Sequence, residues 1–160
     1  EDEMLMNFHL DVGAVGVVKN FTYDSTDGTN AEYHVKTEYE DFIADTEHRR
    51  RVALFLASTN ALTDFANQSR NAVSGEPNRV LIVLDSKMSR KAVRYFKAST
   101  SEIERANILQ ELKDRDALYF LGDDTTEEGL TVAQAYKNAH EQLEANTLYR
   151  PDNRKTASNG

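Results

Sequence analysis

The 160-residue chain contains no cysteine and no tryptophan, only two prolines and only seven glycines. Without cysteine it has no disulfide scaffold, no thiolate zinc site and no cysteine nucleophile. The compartment stays open on that ground, with an intracellular setting as the working expectation. So little proline and glycine beside 39% apolar residues excludes collagen-like and low-complexity chains. One compact domain over residues 1–148 is expected, followed by a disordered polar tail over 149–160. No apolar run approaches the roughly 18 residues of a membrane span, so no membrane partner is expected. Glu1-Asp2-Glu3 lacks the positive start of a secretory signal. Asn20-Phe21-Thr22 and Asn67-Gln68-Ser69 match the glycosylation pattern, and matches this short arise by chance at this length.

Positive charge is also scarce, with 19 Lys and Arg against 27 Asp and Glu for a net −8, which argues against a general nucleic-acid binder. The average hides an asymmetry. Lys87 to Arg115 holds eight basic and four acidic residues, so this stretch is +4 and the remainder −12. Lys87, Arg90, Lys91, Arg94 and Lys97 recur at three- and four-residue spacing opposite Met88, Ala92, Tyr95 and Phe96. That spacing predicts a short helix with one cationic face, where an anionic partner would dock. A solvated helix face paired with acids elsewhere is the competing reading.

Periodicity orders the elements. Met4, Met6, Phe8, Leu10 and Val12 alternate with Asn7, His9 and Asp11, which predicts a first strand. Val15, Val17, Phe21 and Tyr23 continue as a second strand up to the turn residues Asp24–Asn30, and Tyr33, Val35, Thr37 and Tyr39 form a third, antiparallel to it. From Asp45 the period becomes helical through Val52, Phe55, Leu56, Leu62, Phe65, Ala66 and Val73, with Gly75-Glu76-Pro77 closing the helix. Val80–Leu84 is continuously apolar, as in a strand covered on both faces. Ser101 and Glu104 form a capping box opening a helix through Ile103, Leu109 and Leu112. Ala117–Leu121 reads as a fifth strand parallel to the fourth, and Leu130, Ala133, Tyr136 and Leu143 line a last helix. His9, His34, His48 and His140 lack ligand spacing and read as surface or turn residues.

Three joints in this order carry a resemblance: His9-Leu10-Asp11-Val12-Gly13, then Val80-x-Ile82-x-x-Asp85-Ser86-Lys87, then Gly122 to Ala139. Together they resemble the strand-end aspartates and closing helix of the ribonuclease H family, over about residues 4 to 146. The resemblance implies an α/β fold with a ribonuclease H-like five-stranded mixed sheet, three antiparallel strands then two parallel, and helices on both faces. It implies Asp11 and Asp85 on adjacent strands as ligands of magnesium, with Glu47 as a third catalytic carboxylate. Family chemistry needs four carboxylates around two metal ions. Here Arg50 or Arg51 aligns with the family glutamate, Ala133 with the fourth aspartate and Asp123 with the histidine. The acids Asp123, Asp124, Glu127 and Glu128 read equally as a solvated loop before a helix.

The resemblance therefore implies a catalytically degenerate module of a larger protein that binds RNA, DNA or an RNA/DNA hybrid through Lys87, Arg90, Lys91, Arg94 and Lys97. An active magnesium-dependent ribonuclease H using Asp11, Asp85, Glu47 and a loop acid is the first alternative. A protein–protein interaction module is the second.

Overall fold

The computed structural model of the protein describes residues 4–25, 33–62 and 76–156. It divides into two compact units, one of residues 1–10 and 53–147, the other of residues 11–52 and 148–160. The turn expected at Asp24–Asn30 and the helical continuation through Phe65, Ala66 and Val73 fall wholly or largely outside the described residues, as does the glycosylation match at Asn67.

The second unit begins with Asp11, whose carboxylate accepts the Gly13 N–H at 3.0 Å and caps a 3-10 turn at Val12–Ala14. Strands β1 (Val17–Ser25) and β2 (Tyr33–Asp41) pair antiparallel in unbroken register from Val17–Asp41 to Ser25–Tyr33. Gly16 sits before this ladder with φ +72°, and a Cβ there would strike the Ile43 side chain at 2.1 Å, so the tight entry needs glycine. Within the segment 149–160, Arg154–Thr156 forms strand β5, parallel to β2. Asp41 explains why it docks: Arg150 and Arg154 both bond its carboxylate, and Arg150 also reaches Asp45 at 2.6 Å and the Ile43 carbonyl at 3.0 Å. Buried charge persists only when paired in this manner. His48, read from sequence as a surface or turn residue, is buried instead, and its Nε2 donates to the Val12 carbonyl at 2.7 Å.

Helix α1 (Asp45–Asn60) opens with Asp45 and Glu47 in its first turn, where acids complement the helix dipole. The division between the units falls within it, after Val52.

In the first unit, β3 (Arg79–Leu84) pairs with β4 (Leu118–Asp123). Successive side chains of a strand point to opposite faces, and two helices use this. Val80, Ile82 and Phe120 pack with Val132, Ala135, Tyr136 and Ala139 of α3 (Val132–Ala145), whereas Val83 and Tyr119 pack with Ile108 and Leu112 of α2 (Glu102–Asp114). The continuously apolar strand is thus covered on both sides. Each fully buried aliphatic or aromatic side chain contributes about 1.5–3 kcal/mol. Gly122 lets α3 come close, because a Cβ there would lie 2.8 Å from the Val132 Cα and 2.9 Å from the Thr131 carbonyl. The Thr59 and Tyr136 hydroxyls share a buried hydrogen bond of 2.9 Å.

Helix ends follow the sequence signals. Ser101 and Glu104 form the expected capping box of α2, and Thr131 with Gln134 forms another on α3. Helix α2 stops because Asp116 turns left-handed at φ 59°, with Asp116 N–H on the Lys113 carbonyl and Ala117 N–H on the Leu112 carbonyl. This is the bonding of a Schellman motif, with aspartate where glycine is usual.

The expected five-stranded sheet is not formed. The strands divide into a sheet ordered β1-β2-β5 and a two-stranded sheet β3-β4. Met4–Leu10 has the alternation of a strand but no ladder partner among the described residues, and Met4 is 68% and Phe8 48% exposed. Alternation makes a strand only where an edge supplies hydrogen bonds.

β4 is antiparallel to β3, not parallel. The reason lies in the connection. Lys91 meets Glu111 and Arg94 meets Glu104, so the segment leaving β3 and helix α2 run past each other in opposite directions. The chain goes out and back, re-entering the sheet at Leu118 beside Leu84, the end it left. A parallel crossover needs a single return traverse. On α3, Val132, Ala135, Tyr136, Ala139 and Leu143 face inward, while Ala133, expected inside, is exposed.

Candidate functional site

The residues expected to hold magnesium are differently engaged. Asp11 caps its own turn in the second unit and lies on no strand. Asp85 follows β3 in the first unit, where its Oδ1 accepts the Lys87 N–H at 2.9 Å and its Oδ2 faces Arg115 Nη2 at 2.6 Å. The adjacent-strand arrangement implied for the two aspartates is therefore absent. Glu47 takes Arg50 at 2.6 and 2.9 Å and Arg51 at 2.8 Å. Bonds from Arg50, then Arg51, hold the Glu47 carboxyl down at about 2, against an ordinary 4.5. Guanidinium groups thus occupy oxygens of Glu47 and Asp85 that a metal ion would need, and Asp11 is turned to the Gly13 N–H, so this donor set does not fit magnesium. Among the described residues no group of three or more His, Asp or Glu side chains is placed to hold a metal ion.

The acidic loop after β4 serves the helix that follows it. Asp124 Oδ1 accepts the Val132 N–H at 2.8 Å at the start of α3, and Asp123 bonds the Thr125 hydroxyl and N–H, which holds its carboxyl below the usual range. Burial raises the Tyr95 phenol of the same unit.

The cationic segment has a defined local form. Between Lys87 and Lys97 only Lys91–Arg94 is helical, as a single 3-10 turn, so the expected helix opening at Lys87 contracts to one turn. Thr100 holds the turn from behind through its hydroxyl on the Arg94 carbonyl at 2.6 Å. Lys87, Arg90 and Lys97 are exposed and have no acidic partner among the described residues. Lys91 and Arg94 do: Lys91 Nζ is 2.6 Å from Glu111, and Arg94 Nη2 is 2.8 Å from Glu104. Glu111 also faces Arg115 at 3.4 Å, completing a chain Lys91–Glu111–Arg115–Asp85 that ends at the turn bearing Lys87.

Sequence reasoning counted Arg115 and Glu111 into the charge of this stretch without giving them roles, and read Glu104 only as part of the capping box. The signal was present for Glu104, whose capping-box position fixes it at the start of α2. No sequence signal joins Arg115 to Asp85 thirty positions away.

In comparisons with known proteins, no family model, no curated protein and no solved structure matches this chain. Among the described residues, no helix is long and apolar enough to cross a membrane.

Proposed function

We propose that this chain is a binding module that contacts the phosphate backbone of RNA, DNA or an RNA/DNA hybrid through Lys87, Arg90, Lys91, Arg94 and Lys97, as one part of a larger protein. The observation that carries this reading is a run of five cations with no acid inside it, three of them without an acidic partner among the described residues, in a chain of net −8. Phosphate neutralisation needs that kind of cluster. Hydrolysis draws no support from carboxylates tied to arginines.

A labelled single strand, duplex and hybrid, each titrated from 50 to 200 mM salt by fluorescence anisotropy, tests the reading. Neutralising three to five phosphates gives a log-log salt slope of about −3 to −4, with little dependence on base sequence. Replacing Lys87, Arg90 and Lys97 by Glu should abolish binding without unfolding the domain. Salt-independent binding, or full binding by that variant, would sink it.

A second reading, protein interaction, is favoured by a separate observation. Among the described residues β1 is an edge strand, nine residues long with continuous register, and Phe21 on it and Val35 on β2 are 56% and 55% exposed. Long unguarded edges and exposed apolar groups mark association surfaces. Concentration-dependent self-association or partner capture lost on Phe21→Glu, with no nucleic-acid binding, would favour it.

A further inference from the structure

Lys91 and Arg94 already hold anions. Glu104 and Glu111 stand seven residues apart on α2, two turns and about 10 Å along the axis, and so on one face. That face lies along the outgoing cationic segment and supplies one carboxylate to each cation. Both pairs are exposed, with side-chain accessibilities of 62% and 41% for Lys91 and Glu111 and 59% and 44% for Arg94 and Glu104. Pairs this wet are weak and exchangeable. Phosphate, by contrast, receives the Arg94 guanidinium in a bidentate fork and the Lys91 ammonium as a point charge.

We propose that Glu104 and Glu111 are built-in competitors of the phosphate backbone: binding displaces the two carboxylates from Arg94 and Lys91, and α2 thereby sets the affinity of the cationic surface. The inference rests on the nucleic-acid reading above. Local bonding permits the exchange without loss of fold. Glu104 spends Oε1 on Arg94 and Oε2 on the Ser101 N–H at 3.2 Å, so releasing the arginine leaves the cap in place. Glu111 likewise keeps Arg115 on its other oxygen when Lys91 departs. Of five cations, three are ready for phosphate and two are held in reserve.

The test compares Glu104→Gln, Glu111→Gln, the double variant and Glu102→Gln with the wild type, using a labelled single-stranded RNA at 50–200 mM salt. Gln at 104 retains the capping box. Glu102 is on the same helix, exposed, and has no partner among the described residues, so its variant removes one charge without freeing a cation. Because the wild type engages the same phosphates once its carboxylates are displaced, the salt slope should not change, and each carboxylate removed should tighten binding by roughly two- to fivefold, the cost of opening an exposed pair. The double variant should therefore bind roughly 4- to 25-fold tighter with an unchanged slope, and the Glu102 variant should shift by less than about twofold. Equal thermal midpoints establish that the fold is intact. A double variant that binds like the Glu102 control, while the wild type binds RNA normally, overturns the exchange and leaves the functional reading standing. Absence of binding in every form overturns both.

Discussion

Arg150 and Arg94 each hold a carboxylate at similar distance, 2.6 Å to Asp45 and 2.8 Å to Glu104, yet Arg150 is 5% exposed and Arg94 59%. The buried guanidinium is shared among Asp41, Asp45 and the Ile43 carbonyl, so removing it strands a charge out of water. The exposed one can trade its partner for water or phosphate at little cost. Burial, rather than bond length, separates an ion pair that fixes a fold from one that can take part in binding.

The contrast is broken most directly at Arg150. Arg150→Ala leaves Asp41 buried with Arg154 as its remaining cation and should cost about 3–5 kcal/mol in denaturant unfolding. A loss below about 1 kcal/mol would erase the distinction. An intermediate case sharpens it: the Arg115–Asp85 pair is 10% exposed on both sides. Arg115→Ala should cost about 1–3 kcal/mol, the range for leaving a buried polar group without its partner, because Asp85 keeps the Lys87 N–H and loses its counterion. An effect as large as that of Arg150 would show that partial burial counts as full.

The smallest effect is expected at Glu47, whose pairs with Arg50 and Arg51 are exposed. Its folded pKa, about 2, lies below the ordinary 4.5. The pairing thus stabilises the fold above about pH 4.5, and that contribution fades as pH falls towards 2. A carboxyl NMR titration should place the Glu47 midpoint near 2. A midpoint near 4.5 would mean that the two arginines do not hold it in solution.

Local signals were readable before any coordinates. The Ser101–Glu104 capping box, the alternation that makes β1 and β2, and the unbroken apolar run of β3 each act within a few residues and survive in the structure. Strand direction did not read, because Ala117–Leu121 has the same pattern whether the chain arrives after one traverse or two. Lys91–Glu111 and Arg94–Glu104, which reveal the double traverse, are contacts between residues ten to twenty positions apart. Met4–Leu10 shows the converse failure, a strand pattern without an edge to complete it. The cations were legible as a cluster at Lys87–Lys97, but which of them are held, and by which acids, depends on how α2 folds back. Asp85 looked like a metal ligand by its place after a strand, and its actual partner, Arg115, was invisible at that distance.

Arg150 follows Asp41 in the chain by 109 residues, so the clamp also sets an order of events during synthesis. At about 5–20 residues per second, roughly 5–20 s pass between translation of the hairpin and arrival of its countercharge. Until then β2 lacks β5 and Asp41 has no arginine from the end of the chain. The unit that carries the β1–β2 hairpin therefore closes only when residues 150–156 arrive, and the edge of β2 that β5 will cover is open to neighbouring nascent chains throughout that interval.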